Sequence, residues 1–136
     1  MKGKYKGVDR RDSVRLSRVL PAKFKLIDEV KSKDLTKMNP GIIRNISAGG
    51  VLLETGELNE AWIEGLALGT IQVVLEIQLP DTPKVVKVLA RTAWFSKIGK
   101  DKQVEQEKYI IGLRFVDITT ANQDLIRDYI IKSYLS

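Results

Sequence analysis

The chain has 136 residues, a net charge of +6 and neither cysteine nor histidine. That length suits one domain around one core, and the missing residue types exclude disulfides, thiolate or imidazole metal sites and Ser-His or Cys-His nucleophilic catalysis. No Asp/Glu cluster has calcium-loop spacing, the first thirty residues lack the apolar stretch of a signal peptide, and no run of 18 apolar residues occurs, so the sequence reads as soluble and cytoplasmic, without membrane insertion.

Residues 1–25 hold nine basic and two acidic side chains, whereas the remaining 111 carry a balance of −1. Such a concentration suits a segment that meets an anion, and it also suits a solvated basic tail. Residues 1–18 show no sustained hydrophobic period, with Val8, Val14 and Leu16 as isolated apolar positions, and are predicted to form a flexible basic arm. Residues 19–136 are then the folded domain. From Ala22 the pattern alternates, with Ala22, Phe24 and Leu26 against Lys23 and Lys25, which predicts a strand with one buried face and Pro21 at its start.

"KSKDLTKMNPG", residues 31 to 41, reads as a polar connection closing on a Pro-Gly turn. Two short aliphatic runs follow, at Ile42-Ile43 and Val51-Leu53, with "RNISAGG" between them. Glu54, Glu57, Glu60 and Glu64 are spread over what reads as a loop, as solubilising charge. Ile71, Val73, Leu75, Ile77 and Leu79 then mark a strand, joined through Asp81, Thr82 and Pro83 to a long strand from Val85 to Phe95. In that strand Val86, Val88, Ala90, Thr92 and Trp94 share a face, which favours packing over base stacking for Trp94, and Lys87 and Arg91 lie on the other face.

A polar loop, "KIGKDKQVEQE", leads to a last strand whose apolar face is Tyr109, Ile111, Leu113 and Phe115, with Arg114 directed to solvent. Thr120 and Gln123 have capping-box spacing, and Leu125, Ile126, Tyr129 and Ile130 recur at helical intervals, predicting one closing amphipathic helix. Some six short antiparallel strands and one helix are most economically satisfied by a closed barrel plugged by the helix, because an open sheet would leave unpaired edges.

Two constellations carry chemistry. Arg11 and Arg15 are spaced Arg-x-x-x-Arg, with Arg10 before and Arg18 after them; guanidinium groups pair bidentately with phosphate, donate to O6 and N7 of guanine and stack on purines. Asn45, Ser47 and Gly50 give Asn-x-Ser-x-x-Gly, in which Asn45 offers an acceptor and donors, Ser47 a hydroxyl, and Gly49 and Gly50 a close backbone approach. Each pattern taken singly is common, the first in basic tails and the second in ordinary turns.

Together, some thirty residues apart in an all-β pattern, they resemble the PilZ domain, a bacterial receptor for cyclic di-GMP, and "GTIQVVLEIQLP", "VVKVLARTAWFS" and "YIIGLRFVDITTANQDLIRDYI" extend the similarity over nearly the whole chain. The resemblance implies a six-stranded antiparallel β-barrel with a C-terminal α-helix and no enzymatic activity or cofactor of its own. It also implies that Arg11 and Arg15 hold the ligand's phosphates and guanine edges, that Asn45 reads a guanine's polar edge, and that Ser47, Gly49 and Gly50 complete the site. A neutral Asn45 cannot accept from two guanine N–H groups as a carboxylate does, so the expected affinity is reduced. Arg10 matches a position associated with a stacked ligand dimer, which implies two ligands per site.

The implied function is a cyclic di-GMP receptor whose arm orders around the ligand and signals in trans to a protein partner that the sequence does not name. Two alternatives stand beside it: a PilZ-like adaptor that works by protein contacts without ligand, and a small barrel that binds single-stranded nucleic acid. The last would pair its charge with exposed aromatic platforms, and only Tyr5 interrupts the basic arm, which argues against a nucleic-acid polymer as partner.

Overall fold

The computed structural model describes residues 15–56, 58–80, 82–98 and 108–135. Alternation of apolar and polar side chains produces β1 (Leu20–Asp28), β5 (Ile71–Gln78), the long β6 (Val85–Ile98) and β7 (Lys108–Asp117) close to where the sequence places them. Between β1 and β5 lie a two-residue strand β2 (Lys33–Asp34), β3 (Asn39–Ile46), β4 (Gly50–Thr55), a 3-10 turn over Glu60–Trp62 and a short helix α1 (Ile63–Leu68). The chain ends in α2 (Thr120–Leu135).

All pairings are antiparallel, and six strands run in the order β1-β3-β4-β7-β6-β5, with β5 returning to β1 to close the barrel. Closure depends on β1, whose Ala22, Lys23 and Phe24 pair with β3 on one side and β5 on the other. The polar connection after β1 folds back, with Lys33 and Asp34 pairing with Asp28 and Ile27 as a ribbon outside the closed ring. Pro40 and Gly41 do not form the expected turn; they lie within β3, opposite Lys23 and Ala22.

The interior is filled by Phe24, Leu26, Ile43, Leu53, Leu75, Ile77 and Ile111, all essentially inaccessible, and α2 contributes Ile126 and Ile130 to the same cluster. Leu125 and Tyr129 pack beside them. The cap of α2 falls one residue earlier than its spacing suggests: the Thr119 hydroxyl accepts from the Asn122 amide at 3.1 Å. This frees the Gln123 side chain, whose Nε2 donates instead to the Ala48 carbonyl at 3.3 Å. Leu16, isolated in the sequence, is buried in the core and exchanges two backbone hydrogen bonds with Ile46, at 2.8 and 3.0 Å.

The segment expected to be a charged loop also differs. Asn59 caps the 3-10 turn by accepting from the Ala61 amide, and α1 ends on Gly69 at φ +83°, a conformation that suits glycine. Glu54 sits in β4, almost buried, where both carboxylate oxygens meet the Arg44 guanidinium at 3.2 Å and Lys108 approaches at 3.9 Å. Glu54 is therefore an internal strut between strands.

Three strands contain an extra residue. Ile43 faces Leu53 while Asn45 faces Leu52, leaving Arg44 as the bulge in β3. Thr92 faces Leu113 while Trp94 faces Gly112, leaving Ala93 as the bulge in β6, and Val116 is similarly unpaired in β7. A bulge reverses which residues face inward beyond it. In β6, Trp94 is accordingly turned out of the core, 47% exposed, and Phe95 packs inward with its ring centroid 5.3 Å from that of Tyr109.

Candidate ligand-binding site

The residues between β3 and β4 form a tight turn organised by Ser47. Its Oγ accepts from the amides of Gly49 and Gly50, at 3.3 and 3.1 Å, and donates to the Gly50 carbonyl at 3.2 Å, while its own amide donates to the same carbonyl at 2.9 Å. Ser47 is 3% exposed, so its hydroxyl spends its bonding capacity on the turn. The two glycines differ: a Cβ on Gly50 would strike the Leu113 carbonyl oxygen of β7, whereas one on Gly49 would meet nothing within 4 Å. Gly50 is thus needed for strand packing, and Gly49 leaves open space. Phe115 of β7 donates its amide to the Gly49 carbonyl and pins the turn from the far side.

Asn45 precedes this turn, and the Arg44 bulge determines where it points. In unbroken alternation Asn45 would share the inward face of Ile43; with the bulge, Ile46 takes the buried position and Asn45 stays half-exposed. Its Oδ1 there accepts from Arg15 Nη1 at 3.2 Å, a contact spanning thirty residues. The Leu16–Ile46 bridge holds the adjoining backbone and so fixes the root of the arm beside β3.

Arg15, Ser47, Gly49 and Gly50 line one open cleft of about 290 Å³, together with Trp94, Gly112 and Arg114. No Asp or Glu among the described residues lines it. The Trp94 indole lies across Gly112, where a Cβ would collide with it, so glycine at that point lets the ring lie flat on β7. The Arg114 guanidinium, on the exposed face of β7, has no hydrogen-bond or ion-pair partner among the described residues. Two guanidinium groups, exposed backbone at a glycine turn and a partly exposed indole suit a ligand that is anionic and has a flat face.

Of the residues expected at the site, Arg15, Asn45, Ser47, Gly49 and Gly50 come together. Arg10 and Arg11 lie outside the described residues. Arg44, adjacent to Asn45, is turned away toward Glu54. Arg114 and Trp94 are the members that strand alternation assigned elsewhere; the exposed strand face already advertised Arg114, and only the Ala93 bulge brings Trp94 out beside it.

The chain belongs to the PilZ domain family, whose profile matches residues 9–132. Among solved structures it is similar to the inhibitor of motility MotI/DgrA of Bacillus subtilis, at 22% identity and a TM-score of 0.58, over 90% of this chain and 50% of that one. It is also similar to the PilZ domain of YcgR from Escherichia coli with c-di-GMP, at 18% identity and a TM-score of 0.53, over 88% of this chain and 87% of that one. A third likeness, at 10% identity and a TM-score of 0.60, is to the PlzA protein of Borreliella burgdorferi in complex with c-di-GMP, over 98% of this chain and 56% of that one. The chain spans about half the length of the first solved structures that it matches. At these identities the likeness is one of fold, the six-stranded antiparallel barrel with its C-terminal helix. No curated protein matches the chain. No helix among the described residues is long and apolar enough to cross a membrane.

Proposed function

We propose that this protein is a cytoplasmic receptor for cyclic di-GMP, without catalytic activity, that passes the signal to a protein partner in trans. The observation that carries the reading is the Arg15–Asn45 contact, which draws the root of the arginine arm and the Asn-x-Ser-x-x-Gly turn to one cleft that no acidic side chain among the described residues lines. Family membership and the c-di-GMP complexes of YcgR and PlzA among the similar structures support the choice of ligand. Arg15 supplies a guanidinium for phosphate or a guanine edge, and Asn45 presents its amide to guanine polar groups. Ser47 serves by shaping the turn, and Gly49 lets the ligand approach the backbone. Arg114, paired across the sheet with Gly50, adds positive charge to the cleft.

Arg10 and Arg11 precede this site and would close over the ligand, Arg10 bringing in a second, stacked molecule. The resulting order in the arm is the change a partner would read.

Titration calorimetry of cyclic di-GMP into the wild-type protein and Arg15→Ala, with GMP as control, tests the reading. Hydrogen bonds to charged groups contribute about 1.5–3 kcal/mol each, so the substitution should weaken binding about tenfold or more. The wild-type stoichiometry distinguishes one bound molecule from two. Absence of both heat and thermal stabilisation in the wild-type protein would overturn the receptor reading and leave the ligand-free adaptor.

A further inference from the structure

Helix α2 touches both halves of the candidate site. Near its start, Gln123 Nε2 donates to the carbonyl of Ala48, inside the Ser47–Gly50 turn, at 3.3 Å. Near its end, the Tyr134 hydroxyl donates to the carbonyl of Arg15 at 2.6 Å, linking positions 119 residues apart. The two donors stand eleven positions apart in the helix, about 16 Å along the axis. Between them Ile126 and Ile130 anchor the helix in the same core that holds Leu16. The helix is therefore a rigid bar fastened to the glycine turn at one end and to the root of the arginine arm at the other.

The root of the arm is held twice, by the Leu16–Ile46 bridge and by Tyr134, and these two holds differ in character. Leu16 is 6% exposed and paired on both backbone groups with Ile46, whereas Tyr134 is 61% exposed. The tyrosine contact competes with water and can be released without unfolding the barrel. It acts on the Arg15 carbonyl, in the same peptide unit whose Leu16 amide donates to Ile46, directly beside the Cα that carries the guanidinium bonded to Asn45.

We propose that Tyr134 is a positioning residue for Arg15: through α2 it holds the root of the arm against the barrel, so that the guanidinium is presented to the cleft before any ligand arrives. The ligand part of this inference rests on the receptor reading; the fastening itself does not. Pre-positioning removes an ordering cost from binding, and losing it lowers affinity without removing a direct contact.

Tyr134→Phe tests this, because it deletes only the hydroxyl of an exposed ring. In the absence of ligand, amide hydrogen exchange is followed at Leu16, with the amides of β5 as an internal control for global stability. Exchange at Leu16 should accelerate about fivefold or more in the variant while β5 is unchanged. Cyclic di-GMP is then titrated into wild type, Tyr134→Phe, Arg15→Ala and the double variant. The hydroxyl should be worth about three- to tenfold in affinity in the wild-type background and nothing once Arg15 is alanine. Equal losses in both backgrounds would mean that Tyr134 does not act through Arg15, and unchanged exchange at Leu16 would mean that the helix does not hold the arm; either overturns the proposal. If the wild-type protein takes no cyclic di-GMP, the receptor reading falls, and the exchange arm alone then decides whether Tyr134 fastens the arm.

Discussion

Along the seam between β1 and β5, seven residue pairs run from Ala22 opposite Ile77 to Asp28 opposite Ile71 without a slip, whereas β3 gains a residue at Arg44 and β6 gains one at Ala93. Both regions are antiparallel sheet over the same core. At the seam every second side chain goes in, and the inward set of Phe24, Leu26, Val73, Leu75 and Ile77 is almost completely buried. Around the cleft the bulges release Asn45 and Trp94 from the inward face and hand the core positions to Ile46 and Phe95. Regular register yields burial, and interrupted register yields polar and aromatic groups aimed at solvent beside a rigid wall. The protein thus separates the stretch that stabilises it from the stretch that can meet a ligand, while building both from one sheet.

The sharpest way to break this contrast is at the seam. Phe24→Ala should reduce unfolding free energy by about 3–5 kcal/mol in urea denaturation, the usual range for emptying a buried aromatic site. A loss under about 1 kcal/mol would show that the seam is not where stability resides.

The two adjacent glycines refine the other side. Gly50→Ala should cost about 1–3 kcal/mol because its Cβ is forced against the β7 backbone. Gly49→Ala should stay within about 0.5 kcal/mol of wild type in the same melts, since open space surrounds that position. Its cost should appear instead in cyclic di-GMP affinity, where the new methyl group occupies the cleft. Equal destabilisation by both would abolish the distinction between packing glycine and site glycine.

Glu54→Ala, which frees Arg44 and Lys108 at the β3 bulge, should lower stability by about 1 kcal/mol, and less at high salt because Arg44 and Lys108 are both partly exposed. Urea melts at two ionic strengths check this. The smallest effect is expected next to the second bulge. The Thr92 hydroxyl is buried without a partner among the described residues, and Thr92→Val should raise stability by about 0.5–1 kcal/mol by removing that unsatisfied group. No gain would place a hydrogen-bonding partner there.

The parts of the fold that were legible in the sequence share one property: their burial follows a local period. The alternation from Ala22 to Leu26 and from Ile71 to Leu79, and the helical spacing of Ile126 and Ile130, each state which side faces the core without reference to any partner. Helix α1 leaves no legible signal, because six residues are too few for a 3.6-residue period to show. Pro40 and Gly41 read as a turn because their local preference is for one; their pairing with β1 outweighs it.

At the site, Asn45, Ser47 and the glycines were visible as a motif because they are contiguous and chemically unlike the aliphatic runs around them. Arg15 was visible by charge and spacing. Their meeting, the exclusion of Arg44, the emergence of Trp94 beside Arg114 and the reach of Tyr134 to Arg15 were not.

The regularly alternating strands, the closing helix, the family and the chemical kind of side chain available for an anion are written in the local pattern of the sequence. Which of those side chains share a cleft depends on how the barrel closes. A bulge exists only relative to a partner strand, and a hydrogen bond between positions 15 and 134 exists only once the barrel has closed. Both depend on contacts between segments distant in the chain, about which the local pattern carries no information.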